Sequence, residues 1–394
     1  MKEVTVVIVG AGPSGLATSA CLKQNSISHI VLEREDCNAS LWRKNAYDRV
    51  YLHLAKEFCS LPYMSHPPSA PTFLSKEAFL WYIDEYVARF NINPRYGCCV
   101  ESAVLCEGEE KWRVEVNNSL LNRREVYEAK FLVVATGENS HAYIPQVPGL
   151  DSFEGEIVHS KNYKSGSKYK SKEVLVVGCG NSGMEIAYDL TEWGVNPSIL
   201  IRSPFHVLNK ELVRRGMSML ASNSTFETVD ALVLSMAETQ YGDLTQYGIY
   251  PPKGGPFYLK DLTGRSPVVD VGTIQRIKDG SVKVIRGQIE RIENKKVVFE
   301  NTMEKEFDVI VFATGYRSVA NEWLKDYKYV LNVDGWPKNA FPRHWKGERG
   351  LYCAGLSKRG LFGVARDAEA IANDINQILN GNVGDTVPAK DDKA

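Results

Sequence analysis

Short runs that are apolar at every position alternate along the chain with glycine-rich turns and with stretches of helical periodicity. Val4 to Val9 is the first such run. Glycines follow at 10, 12 and 15, and Leu16 to Leu22 then places apolar residues at helical spacing. A run without polar alternation suits a strand covered on both faces, so the pattern predicts the strand, turn and helix of a parallel sheet. His29 to Arg34 supplies the next strand. Pro62, Pro67, Pro68 and Pro71 mark Leu61 to Ser75 as a loop, after which Ser75 is placed to cap a helix with Phe79, Leu80, Ile83, Val87 and Phe90 on one face. Val114 and Val116 alternate with polar neighbours, and Phe131 to Ala135 is a buried run ending in Thr136 and Gly137.

The pattern then restarts. Val174 to Val177 reads as a strand, Gly178 to Gly183 as a glycine turn, Met184 to Trp193 as a helix and Ser198 to Ile201 as a strand. Asn209 to Gln240 is mostly helical in pattern, and its Leu212, Val213, Met217 and Leu220 suit a local core better than a substrate entrance. Ser281 to Glu300 gives short strands, and Phe307 to Ala313 a strand ending in Thr314 and Gly315. Leu351 to Ala354 is a last strand before a helix from about Val364 to Leu379; the polar tail after Asn380 has little to bury. The expected fold is α/β with two dinucleotide-binding (Rossmann-like) domains. One, residues 164–306, is inserted into the other, residues 1–163 and 307–394.

Composition narrows the ligands. With 394 residues and 44% apolar content there is enough chain for two ordinary cores. A net charge of -1 and the absence of a basic block point away from nucleic acid and toward small molecules. No stretch approaches the roughly 18 apolar residues of a membrane span, and the chain opens on a strand with no leader pattern, so a cytoplasmic location is the expectation. The eight cysteines form no CxxC pair, which argues against a dithiol reductase. No metal site is expected, and oligomeric state is left open.

Both glycine turns fit GxGxxG between a strand and a helix. In Gly10-Ala11-Gly12-Pro13-Ser14-Gly15 the first glycine permits the tight turn and the second lets a pyrophosphate approach the backbone. The third lets helix and strand pack closely, while the helix N-terminus offers free N–H donors. Glu33 ends the second strand at the spacing of an acid that accepts hydrogen bonds from ribose hydroxyls. Gly178-Cys179-Gly180-Asn181-Ser182-Gly183 repeats the motif, but its second strand ends in Arg202 and Ser203. An acid there would repel a 2′-phosphate, whereas a guanidinium can hold one, so the first site is expected to take FAD and the second NADPH. Ala135-Thr136-Gly137 and Ala313-Thr314-Gly315 end strands at the edge where such folds bind ligands, and suggest chain crossings between the domains.

Between the two turns, Phe153 to Tyr163 reads FxGxxxHxxxY. This motif resembles the signature of class B flavin monooxygenases, in which His159 is read as a domain-junction residue before a catalyst. Further stretches resemble the plant YUCCA-type monooxygenases over nearly the whole chain: Leu41-Trp42, Tyr47-Asp48-Arg49, Leu52-His53-Leu54 with Lys56 and Phe58-Cys59, Ala135 to Asn139, Arg202-Ser203, Pro267 to Gly272 and Arg359-Gly360-Leu361. Ala55, where that family usually has proline, and Cys353 to Lys358 depart from the pattern. The resemblance implies oxidative decarboxylation of indole-3-pyruvate to indole-3-acetate, in auxin biosynthesis, with FAD, NADPH and O2, through a flavin C4a-(hydro)peroxide, and it adds Arg34, Leu41, Trp42, Val100 and Leu361 to the expected cofactor contacts.

Such chemistry needs no protein nucleophile, so orienting groups are sought. His53 is the first candidate, either hydrogen-bonding the isoalloxazine or packed as a core histidine; Lys56 and Asn139 are candidates at the nucleotide interface or plain structural polar residues. Two other functions share these motifs: oxygenation of nitrogen or sulfur nucleophiles, and non-catalytic sensing of NADPH by a flavoprotein.

Overall fold

The computed structural model describes residues 2–106, 108 and 110–381; the polar tail expected to lie free falls outside them. In chain order the elements used below are β1 (Lys2–Val9), α1 (Pro13–Gln24), β2 (His29–Leu32), α2 (Lys76–Arg89), β3 (Cys98–Cys106), β4 (Lys111–Asn118) and β5 (Arg123–Val134). Next come β6 (Glu156–His159), β7 (Val174–Val177), α3 (Asn181–Glu192), β8 (Ser198–Ile201), α4 (Lys210–Ala221) and α5 (Phe226–Tyr241). The last are β9 (Lys283–Arg286), β10 (Val309–Phe312), β11 (Leu351–Cys353) and α6 (Leu361–Leu379).

The chain forms two compact units. The first takes the chain up to Lys44, Ala55–His141, and Tyr316 to the last described residue; the second takes Asn45–Leu54 and Ala142–Gly315. These limits differ from the expected ones because the strands Glu156–His159 and Val309–Phe312 pair with each other, and the latter with β7, in the second sheet. The ten residues from Asn45 to Leu54 also leave the first unit for the second.

In the first unit β2, β1, β5 and β11 run parallel, while β5, β4 and β3 form an antiparallel meander. The twelve residues of β5 serve both arrangements: Arg123–Ala129 pair with β4, and Leu132–Val134 with β11. Val6, Val7, Ile8 and Val9 are buried, as a doubly covered strand requires. On α2, capped by the Ser75 side chain, the buried face is Phe79, Tyr82, Ile83 and Tyr86. Leu80 and Val87 lie outside it, because the aromatic stripe turns inward: Tyr82 donates to Met64 O and Tyr86 to Pro62 O, fastening the proline-rich loop.

The second unit is built on a five-stranded parallel sheet ordered β9-β8-β7-β10-β6. The predicted helical region is two helices, with Asn209 capping α4 and Thr225 capping α5. Leu212 and Val213 are buried in the local core.

Candidate functional site: two dinucleotide cradles

Both glycine turns are shaped by the same steric demands. Gly10 and Gly178 have φ of +111° and +108°, where a side chain would be strained, and a Cβ on either would strike the carbonyl of Ala135 or Ala313 at 2.4 or 2.6 Å. A Cβ on Gly15 or Gly183 would lie 1.9 Å from the oxygen of Gly10 or Gly178. Gly12 and Gly180, by contrast, face open space with nothing within 4 Å of an added Cβ. Each turn thus leaves room where a pyrophosphate would pass and is closed where helix meets strand. Pro13 opens α1 in the one position where its missing N–H costs nothing. Asn181 opens α3 and accepts the N–H of Val269 at 2.7 Å, tying the second turn to a neighbouring strand; Ser182 follows it in the first turn.

Around the first turn, Glu33 is buried directly after β2. Its carboxylate accepts N–H bonds from Ala11 at 2.7 Å and Glu35 at 3.0 Å. Burial pushes its pKa up against those two bonds. Across the sheet edge the Thr136 hydroxyl is buried without a partner, a polar group waiting for one where β5 ends. Gly137 follows with φ +80°. Ser14 is buried against Gly355, and Leu361 is the first residue of α6. Trp42 packs on Phe79 with ring centroids 4.8 Å apart, and Leu41 begins the same short helix. Val100 is buried at an irregularity of β3. Arg34 is exposed beside Glu35. An open turn, a buried acid and an orphaned hydroxyl together fit an adenine dinucleotide.

The second cradle is cationic. Arg202 is exposed at the end of β8, with Ser203 half-buried beside it. Arg286 ends β9, the adjacent strand, in register with Ile201. Its Nη1 is buried without a hydrogen-bond partner, and its guanidinium lies 5.1 Å from the centroid of Tyr250. Burial raises the pKa of Cys179 within the glycine turn, and Arg265, Arg286 and Arg202 all pull against that rise. Arg202 follows the strand whose Leu200 carbonyl accepts the Gly178 N–H, and Arg286 ends the strand beside it. Sequence reasoning found only Arg202; Arg286 becomes visible once β9 is known to lie beside β8. A cation drawn out of water without an anion is costly, so this arrangement fits a phosphate-bearing ligand.

The predicted orienting residues occupy different places. His53 lies in the second unit, where Nε2 meets Glu185 Oε1 at 2.7 Å, and Tyr47 donates to the other carboxylate oxygen at 2.6 Å. Glu185 is buried on α3. Burial alone would raise its pKa, but the His53 and Tyr47 bonds and the charge of Lys210 outweigh it and hold the carboxyl below its usual range. Its sequence signal was an acid set among Met184, Ile186 and Ala187. Lys56 gives its ammonium protons to the carbonyls of Pro67, Pro68 and Ala70 at 3.1, 2.9 and 2.6 Å, so the charge clamps the proline loop and has no donor left for a nucleotide. Asn139 is exposed in the turn after β5.

The FxGxxxHxxxY residues build the second unit. Phe153 enters its core, and a Cβ on Gly155 would strike Asp308 O at 2.4 Å. His159 Nδ1 accepts from Lys161 N, which leaves the Nε2 proton to bond Gly315 O at 3.0 Å. Tyr163 donates to Asp189 on α3. Thr314 bonds the Tyr143 carbonyl within the same unit.

The family model described as flavin-binding monooxygenase-like matches residues 2–345. The chain is 55% identical over 377 residues to the probable indole-3-pyruvate monooxygenase YUCCA10 of Arabidopsis thaliana, covering 96% of this chain and 98% of that one. It is 44% identical over 374 residues to the indole-3-pyruvate monooxygenase YUCCA1 of Oryza sativa subsp. japonica, covering 94% and 91%. Among solved structures, a flavin-containing monooxygenase from Stenotrophomonas maltophilia superposes with a TM-score of 0.72 at 18% identity, covering 96% and 100%. A cyclohexanone monooxygenase from Rhodococcus sp. Phi1 bound to NADP+ gives 0.71 at 18%, covering 96% and 84%. Those two likenesses establish the paired α/β fold. With two cradles of this kind and relatives matched over nearly their full length, the chain belongs to the flavin-binding monooxygenase-like family and is a flavin-dependent monooxygenase of its plant YUCCA branch.

Proposed function

We propose that the protein converts indole-3-pyruvate to indole-3-acetate in auxin biosynthesis. NADPH, a proton and O2 are consumed, and NADP+, CO2 and water are released. The observation carrying the substrate is the full-length match to relatives named for that acid. In this reading the first cradle holds FAD, with Glu33 on a ribose and the N-terminus of α1 toward the pyrophosphate. The second holds NADPH, with Arg202 and the half-buried Arg286 on the 2′-phosphate, where bidentate charge-assisted bonds select it against NADH. Bound FAD, reduced by NADPH, supplies the activated oxygen that the chain itself has no group to provide.

The protein's own residues then hold both nucleotides and keep the reacting region dry, because water there diverts reducing equivalents to hydrogen peroxide. The His53, Glu185 and Tyr47 cluster is a positioning element: it fixes the Asn45–Leu54 segment to the helix that starts at the second glycine turn. Among the described residues no helix is long and apolar enough to cross a membrane. A cytoplasmic location is part of the proposal, and fractionation of cells carrying a tagged full-length chain tests it.

The test of the reaction is an aerobic incubation with FAD, NADPH and indole-3-pyruvate, scoring indole-3-acetate and peroxide against NADPH consumed. Acid formed nearly mole for mole supports the reading. N- or S-oxides from amines or thioethers, with no acid from any 2-oxo acid, would replace it; NADPH left unoxidised with every substrate would point to a sensor.

A further inference from the structure

The first unit contains a cavity of about 900 Å³ that none of the glycine-turn residues lines. Its wall comes from the segment following Gly315, from the loop around Trp336 and from the residues just before α6. Asn321, Trp336, Phe341, Ser357 and Lys358 are among its lining residues.

Besides the ring nitrogens of His344, whose Nε2 lies 2.8 Å from Asp367 Oδ1, two polar atoms on this wall are buried without hydrogen-bond partners: Asn321 Oδ1 and Ser357 Oγ. The orientation of the Asn321 amide is settled by its other end. Nδ2 donates to the carbonyls of Asn332 and Val333 at 3.1 and 2.9 Å, and since both are acceptors the amide cannot be reversed. What remains is a fixed, dehydrated acceptor asking for an N–H or O–H. Ser357 adds a hydroxyl able to donate. Buried polar atoms in native proteins are nearly always satisfied, so both mark a place for a ligand or ordered water.

A cation stands on the same wall. Lys358 has φ +60°, a conformation that a side-chain-bearing residue seldom adopts. The strain is held by the bond from its N–H to the Glu138 carboxylate. Its ammonium lies 4.4 Å from the centroid of Trp336, and no carboxylate among the described residues pairs with it. The acids on the cavity wall, Glu322 and Asp334, are both exposed. The aromatic wall is held in place as well, since Phe341 lies 3.9 Å from the Arg359 guanidinium and 5.6 Å from His344.

A cavity offering an unpaired ammonium, a donor hydroxyl, an isolated acceptor and aromatic faces matches an aromatic acid whose ring carries an N–H. We propose that this cavity is the acid-substrate pocket. The carboxylate sits on Lys358 and Ser357, the ring packs beside Trp336, and the ring N–H donates to Asn321 Oδ1. The assignment rests on the reading of the protein as a monooxygenase of aromatic 2-oxo acids, and it names residues that nothing in the nucleotide motifs implies. It also makes Asn321 the group that distinguishes an indole from a phenyl ring, because a ring without the N–H leaves a buried acceptor unpaired.

The test uses the FAD-loaded full chain with two readouts. Steady-state kinetics compare indole-3-pyruvate with its ring N-methyl analogue and with phenylpyruvate; calorimetry measures binding of indole-3-lactate, which keeps the carboxylate and ring N–H but lacks the ketone. Lys358→Met is expected to raise the KM for indole-3-pyruvate and weaken indole-3-lactate at least about tenfold, with flavin content and NADPH affinity unchanged, and Lys358→Arg to recover most of the loss. In the unsubstituted protein N-methylation should raise KM about tenfold. Acid formation with KM and indole-3-lactate affinity unmoved by Lys358→Met would overturn the pocket while leaving the function standing. Absence of acid formation would overturn the function. In that case indole-3-lactate binding abolished by Lys358→Met would still support an acid site, and no binding at all would remove it.

Discussion

The two glycine cradles share their sterics down to a few tenths of an ångström, and differ in the charge that waits at the end of the second strand. In the first unit that charge is one buried carboxylate, Glu33, already bonded to the backbone of the turn it serves. In the second it is an exposed Arg202 beside a half-buried Arg286 whose Nη1 has no partner. In the proposed reading the shape of a strand, turn and helix suits a dinucleotide, and the sign and burial of one or two neighbours select which one.

The strongest way to break the comparison is to fill the turns. Gly15→Ala and Gly183→Ala each drive a Cβ to 1.9 Å from a backbone oxygen, which has no flexible tip to move aside. Overlap of this kind costs about 1–3 kcal/mol or more in a packed core. Gly15→Ala is expected to abolish flavin retention on gel filtration. Gly183→Ala should leave flavin bound but lose NADPH oxidation, and loss of flavin in both would show that the cradles are not independent.

Next in size is the charge pair. Removing Arg202 or Arg286 deletes charge-assisted bonds of about 1.5–3 kcal/mol, or roughly 10- to 100-fold in NADPH KM. Arg286→Met should do so with the KM for NADH unchanged. An equal loss for both nucleotides would assign Arg286 to packing against Tyr250. Glu33→Ala is the matching probe of the first cradle, expected to weaken FAD about tenfold while NADPH KM holds, as read by flavin release on dilution.

The smallest effect is one of pH. Because its contacts hold Glu185 below its ordinary pKa, its contribution to stability is full above the unfolded value near 4.5 and is lost as pH falls through the lower folded value. The melting midpoint of the apoprotein should therefore fall below about pH 4.5, and Glu185→Gln should flatten that part of the profile by a few degrees, at roughly 2–4 °C per kcal/mol for a unit of this size. An unchanged profile would mean that other carboxylates control acid unfolding.

The glycine turns and Glu33 were legible because their demands are local: a strand end, a tight turn and a helix start lie within about 25 residues. The place of Arg202 at a strand end was legible for the same reason. That of Arg286 was not, since it depends on β9 pairing beside β8, a matter of sheet order. His53 drew attention through its neighbours in sequence, yet its partner Glu185 is 132 residues away, and the Asn45–Leu54 excursion that brings them together has no compositional mark. Lys56, open between the nucleotide interface and a structural use, takes the structural one because the proline loop folds three carbonyls onto it, a contact that spacing alone does not show.

The double duty of β5 bears on how the protein is made. Its first half pairs with β4, a near neighbour in sequence, and its second half with β11, which leaves the ribosome only after the whole of Ala142–Gly315. During synthesis the meander can therefore zip early, while one side of the stretch from Leu132 to Val134, which borders the first glycine turn, stays bare until the closing strand arrives. The unit that carries the first glycine turn is the last to be finished, and a newly made chain interrupted before β11 would carry every residue of that glycine motif and still lack a complete sheet to hold it.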